Sequence, residues 1–156
     1  MRAVAALCAL LVLVAVPGHA KDLRSFADDR LGTSAAVPAD WTRLPPDERW
    51  HGARFVSPDG SSWLAIYAAP EQGDVEAHTD ATAQADGENV TYLVRRPGWL
   101  VVSGRKGDRV FYRKAILACT VWHHVALEYP ARMERVYGPL VSLVSRSLEA
   151  GRHACG

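Results

Sequence analysis

Residues 89–129 read NVTYLVRRPGWLVVSGRKGDRVFYRKAILACTVWHHVALEY, four largely apolar runs parted by short turn signals. Runs of β-branched and aromatic residues bounded by Gly and Pro predict strands, and connections this short predict antiparallel neighbours. Lys106-Gly107 reads as a two-residue hairpin loop, because Gly supplies positive φ without steric cost. That turn sets Arg105 opposite Asp108, and with it Val102 opposite Phe111, Val101 opposite Tyr112 and Leu100 opposite Arg113. Pro97-Gly98 sets Arg96 opposite Trp99. A reversal at Cys119-Thr120 sets Leu117 opposite Trp122 and Arg113 opposite Ala126.

Side chains alternate across a strand, so these registers sort the residues onto two faces. Tyr92, Val94, Trp99, Val101, Val110, Tyr112, Ile116, Val125, Leu127 and Tyr129 fall together and predict the main core. The opposite face carries Leu93, Arg95, Leu100, Val102, Phe111, Arg113, Leu117, Trp122, His124 and Glu128. It is mixed, with apolar residues around two arginines, a histidine and a carboxylate. This face is where a function is expected to sit.

Beyond Tyr129-Pro130, apolar residues at Met133, Val136, Tyr137, Leu140, Val141, Leu143, Val144 and Leu148 repeat with a period near 3.6 and predict a helix covering one face. Pro139 lacks an amide donor, so a kink, or a second helical piece starting there, is expected. Upstream, Ala53–Ala69 reads as a hairpin about Pro58-Asp59-Gly60, its second strand apolar on both faces and therefore interior. Trp63, Ala65 and Tyr67 share one face of that strand, Leu64 and Ile66 the other. Residues 73–86 can form a helix with a thin apolar stripe, mostly exposed across one face. Residues 43–51, with two prolines, read as a loop. Thr33–Val37 reads as a strand stopped by Pro38, Trp41 is expected to fold onto the core, and a short helical turn fits residues 22–28. The sum is an α+β fold: an antiparallel sheet of about six strands, with a C-terminal helix on one face and a smaller helix elsewhere.

Residues 1–20, MRAVAALCALLVLVAVPGHA, have a basic start, a short apolar run and small residues before Lys21, the pattern of a cleaved secretory signal. Residues 21–156 then form a single globular domain, exported to a periplasm or to the medium, with no stable membrane span left after cleavage. Cys8 leaves with the signal. Cys119 and Cys155 remain, and an even count in an exported chain predicts a disulfide between them. The chain of 156 residues carries 18 basic and 17 acidic residues, and Arg2 supplies the whole excess. A balance so close to neutral argues against a nucleic-acid partner.

Several stretches also resemble a bacterial family of exported proteins without an assigned activity: Phe26–Trp41, with its RLGT and VPADW, RFVSPDG at 54–60, Thr91-Tyr92, WLVVSG at 99–104, VFYR at 110–113 and LEYP at 127–130. Their order resembles the PsbP-like fold, shared by the photosystem II extrinsic subunit and a Ran-binding yeast protein. The resemblance spans nearly the whole mature chain, and most of its residues are turn and core residues. It implies an antiparallel sheet between helices, and binding or assembly rather than catalysis.

Candidate chemistry concentrates on the mixed face. His123 and His124 are adjacent on one strand and point to opposite sides, so they cannot chelate one metal together. His123 reads as a hydrogen-bonded core residue, His124 as the freer candidate. Arg113 lies diagonal to His124 and Glu128, with Arg95 two strands away; paired guanidinium donors suit a carboxylate or phosphate. The simpler reading, and the favoured one, is an ordinary cross-strand pair of Arg113 with Glu128 and a solvated Arg95. The sequence lacks Gly-x-Ser-x-Gly, His-Glu-x-x-His and the spacing of a calcium loop, and no cofactor is expected. The leading expectation is a non-enzymatic accessory domain, with Arg95, Arg113, Trp122, His124 and Glu128 contacting an unknown protein or small anionic ligand. The alternative is a small hydrolase or metal-dependent enzyme using His124 and Glu128, with His78 a further candidate.

Overall fold

The computed structural model describes residues 22–46, 51–70 and 73–151. The expected signal segment, residues 1–20, and Cys155 lie outside the described residues. Ten strands and two α-helices follow in the order β1 (Leu23–Ala27), β2 (Thr33–Pro38), β3 (Thr42–Arg43), β4 (His51–Val56), β5 (Trp63–Pro70), α1 (Val75–Ala83), β6 (Asn89–Arg96), β7 (Trp99–Lys106), β8 (Arg109–Ala118), β9 (Val121–Pro130), α2 (Glu134–Ser147) and β10 (Glu149–Ala150). The expected sheet of about six strands is a seven-stranded antiparallel sheet in the order β3-β4-β5-β9-β8-β7-β6. A second, three-stranded sheet, β1-β2-β10, accompanies it.

The quoted stretch forms β6 to β9. Arg96 pairs with Trp99 as expected, and the register holds back to Tyr92, where it shifts between Val90 and Tyr92. Leu117 pairs with Trp122 and Arg113 with Ala126, also as expected. The middle turn differs. Lys106 pairs with Arg109, so Gly107 and Asp108 form the loop, and Val102 faces Arg113 rather than Phe111. Gly107 has φ 59° at the first central position, the place a Gly-X hairpin loop requires. The slip moves the partner by two residues, and a shift of two leaves every side chain on its own face.

The apolar face carries the larger core. Phe55, Leu64, Ile66, Val125, Leu127 and Tyr129 of the sheet meet Ala35 and Val37 of β2, and Tyr137, Leu140 and Val144 of α2. Trp41 joins them at 2% exposure, its ring edge-on to Tyr137 with centroids 5.8 Å apart. β5 lies between β4 and β9 and is interior, as its two apolar faces imply.

Two local expectations change. The segment at 22–28 forms β1 rather than a helical turn; its partner β2 satisfies the backbone along five residue pairs, Leu23↔Pro38 to Ala27↔Ser34. Pro139 lies inside α2, which runs unbroken from Glu134 to Ser147 after a 3-10 turn at Ala131–Met133. The apolar stripe of α2, buried at Tyr137, Leu140 and Val144 on both sides of the proline, holds the helix in one piece. The 43–51 segment is not all loop, since Arg43 belongs to β3 and His51 opens β4. Residues 47–50 lie outside the described residues.

Candidate functional site

The mixed face is covered. α1 lies across it, with Asp74 capping the helix by accepting the Glu76 amide at 2.8 Å. Beneath the helix, Ala83 packs with Leu100, Ala115 and Trp122 in a second, smaller core, and Val75 and Leu117 lie against it. The pairings place Gly52, Tyr67, His124, Ala115, Leu100 and Arg95 in one row across six strands. Gly52 is needed there: a Cβ at that position would stand 2.6 Å from the Cα and Cβ of Tyr67.

Four rings form the centre of the site. Tyr67 stacks on His124 with centroids 4.5 Å apart and planes 1° apart. His78, on α1, stacks on Trp122 at 4.6 Å and 11°. The two histidines meet edge to edge, His78 Nε2 standing 3.2 Å from His124 Nε2. Burial pushes the His124 imidazole down to about 3, with the neighbouring His78 and His123 adding to the effect. Burial likewise raises the Tyr67 hydroxyl, against the pull of the Arg113 charge.

The five expected ligand residues are thus distributed unequally. Trp122 is fully buried and His124 is 2% exposed. Arg113 does not pair with Glu128. Its guanidinium donates twice to the Glu88 carboxylate, at 2.6 Å each, and its Nε donates to the Thr82 carbonyl at 3.0 Å. Burial would raise the Glu88 carboxyl, but the Arg113 bonds and the Ala85 amide hold it below its ordinary value. Glu128 instead pairs with Arg109, which also donates to the Ser61 carbonyl at 2.9 Å. His124 and Glu128 share a face of β9 four residues apart, about 13 Å at strand rise, and engage different partners. The structure does not bring them together.

Arg95 is not simply solvated: it pairs with Asp80 of α1 at 40% side-chain exposure. It also borders a cleft of about 470 Å³ between the start of α1 and the β6–β7 turn, lined by Asp74, Val75, Glu76, Thr79, Arg95, Arg96 and Pro97. On the opposite face, His123 is buried and its Nδ1 lies 2.6 Å from the Thr33 hydroxyl, the hydrogen-bonded core role expected of it. Among the described residues no group of three His, Cys, Asp or Glu converges as a metal site, and no helix is long and apolar enough to cross a membrane. Tyr67, Glu88 and Asp80 were not legible as site residues. Their only signal is parity for Tyr67, and for the two acids none before α1 is docked.

This architecture is the PsbP-like fold. The chain is similar to the solution structure of the cyanobacterial PsbP protein CyanoP from Synechocystis sp. PCC 6803, with a TM-score of 0.59 and 11% identity over 83% of this chain and 93% of that one. It is similar as well to the crystal structure of LpqN, involved in cell envelope biogenesis of Mycobacterium tuberculosis, with a TM-score of 0.56 and 11% identity over 83% and 91% of the two chains. No protein-family model and no curated protein matches the sequence. Identities this low carry the fold and no more.

Proposed function

We propose that the protein is an exported, non-enzymatic accessory domain that binds a small carboxylate- or phosphate-bearing ligand in the cleft beside Arg95 and Arg96. One observation carries the reading: of the five expected ligand residues, Arg95 borders an open cleft, while Trp122 and His124 are buried and Arg113 and Glu128 are held by Glu88 and Arg109. The cleft volume of about 470 Å³ falls in the range of small-ligand sites. Arg95 presents one nitrogen to Asp80, and a guanidinium has further donors in its fork. Arg96 rests over the Trp99 ring, 5.9 Å from its centroid, which holds its charge at the same end of the sheet. The signal-like pattern of residues 1–20 supports export, and LpqN, a protein of the same fold, is involved in cell envelope biogenesis.

The test is an amide-shift titration of isotope-labelled protein with acetate, citrate, inorganic phosphate and a short acidic peptide, repeated with Arg95→Ala and Arg96→Ala. Saturable shifts confined to Thr79, Arg95 and Arg96, lost in both variants, support a small-anion cleft. Shifts with the peptide alone would move the reading to a protein partner. No saturable shift with any of the four would remove the cleft as the site.

A further inference from the structure

Two imidazoles that meet nitrogen to nitrogen have two chemical uses. One ring can donate its N–H to the other, or both can turn lone pairs toward one metal ion. The 3.2 Å between His78 Nε2 and His124 Nε2 is close to the about 3.3–3.4 Å that two imidazole nitrogens span on a tetrahedral ion with metal–nitrogen bonds near 2.0–2.1 Å. The separation itself would change by only a few tenths of an ångström to admit one.

The surroundings favour a site over an accidental contact. Each histidine ring lies flat against a larger ring, His124 of β9 on Tyr67 of β5 and His78 of α1 on Trp122 of β9. Stacking of this kind fixes ring direction, the task that outer partners perform around metal ligands. The nearby Arg113 guanidinium donates two bonds to the Glu88 carboxylate, so the site is not dominated by an uncompensated cation. His124 is buried, but His78 is only partly buried on α1, which leaves the helix side as the way in. His123 points to the other face and bonds to Thr33, so it takes no part.

We propose that His78 and His124 form a two-nitrogen site for a divalent first-row transition ion such as Zn²⁺ or Cu²⁺, reached from the α1 side and completed by water. Borderline ions suit imidazole, and a site with two protein ligands exchanges its metal readily rather than closing around it. The inference is independent of the Arg95 and Arg96 cleft.

The experiment is calorimetric titration of the untagged protein with ZnCl₂ and CuCl₂ at neutral pH, beside His78→Gln, His124→Gln and the controls His51→Gln and His153→Gln. One equivalent should bind saturably to the wild type and to both controls, and affinity should fall by about tenfold or more in His78→Gln and His124→Gln. Cobalt substitution should give the intense visible bands of a tetrahedral site, absent from the same two variants. If His124→Gln does not fold, His78→Gln, a change on a partly exposed helix, carries the test after its circular dichroism is matched to wild type. No saturable binding, binding that survives His78→Gln, or binding lost in either control would overturn the proposal and leave the contact as a hydrogen bond between two rings.

Discussion

The Arg113 guanidinium and the Glu88 carboxylate meet through two bonds of 2.6 Å, with Glu88 5% and Arg113 19% exposed. One group belongs to the middle of β8 and the other to the segment that leads from α1 into β6, so the pair fastens the helix to the sheet. Arg113 also lies over the Phe111 ring, 4.7 Å from its centroid, which leaves it little freedom to find another acceptor.

Removing one partner of a buried pair costs more than removing both, because it leaves a desolvated charge without compensation. Glu88→Gln should therefore destabilise the fold by about 3 kcal/mol. The double variant Glu88→Leu with Arg113→Met should recover most of that loss. Urea unfolding of the wild type, Glu88→Leu, Arg113→Met and the double variant measures it beside Glu88→Gln, and a double variant as unstable as the sum of its two singles would rule out the pairing as described.

Acid should act on the same helix. His124 titrates at about 3 in the folded state and near 6.5 when unfolded, so the unfolded chain binds the extra proton throughout that interval. Stability is then fully present above about pH 6.5 and falls as the pH drops toward 3. The slope approaches 1.4 kcal/mol per unit, or about 2 kcal/mol lost by pH 5. His78 from α1 and Tyr67 from β5 face this ring, His123 stands next to it in the chain but on the opposite face of β9, Arg113 acts on Tyr67, and none is an anion that would hold an imidazolium. Glu88, depressed by Arg113, loses its contribution in the same direction at lower pH. Unfolding free energies at pH 7.5 and pH 5 should differ for the wild type and differ markedly less for His124→Gln; equal slopes would exclude His124 as the source.

The smaller core depends on Trp122, whose indole N–H is buried without a hydrogen-bond partner among the described residues. Trp122→Ala empties the space beneath His78 and Ala83 and should cost about 3–5 kcal/mol. Trp122→Phe keeps a ring under His78 and removes the unpaired donor, so it should cost markedly less. Thermal unfolding separates the two, and equal losses would mean that the indole nitrogen has a partner of importance.

What could be read from the sequence follows from where registers come from. Wherever a two-residue loop joins consecutive strands, counting outward from it gives the pairing, and Arg96↔Trp99 and Leu117↔Trp122 follow. Gly107 can serve in either of two such loops, Lys106-Gly107 or Gly107-Asp108, and only packing chooses between them. The two alternatives have the same parity, so the mixed face keeps its members. No turn connects β5 to β9, however, and the pairing of Tyr67 with His124 had no local origin to count from. The landing of α1 was equally hidden, because its apolar stripe is thin and its contacts are made by His78, Thr79 and Ala83 rather than by large aliphatics. Glu88 therefore could not be matched to Arg113, and cross-strand logic assigned the arginine to Glu128 instead.

Cys119 adopts φ 59°, the one non-glycine residue with positive φ among those described. It occupies the β8–β9 turn, between Ala118 and Val121, where Gly or Asn would hold that backbone at less cost. A cysteine in a turn that Gly or Asn would hold at less cost fits a requirement for its sulfur, and the proposed partner is Cys155. Such a link closes a loop of intermediate length and contributes about 3–4 kcal/mol by restricting the unfolded chain. Peptide mapping of protein alkylated without reductant should recover the segments around the two cysteines as one disulfide-linked species. Cys119→Gly should relieve the backbone by about 1 kcal/mol and lose the larger cross-link contribution, leaving a variant less stable than the oxidised wild type but at least as stable as the reduced one. Recovery of both cysteines fully alkylated before reduction would discard the link, and the turn conformation would then need another cause.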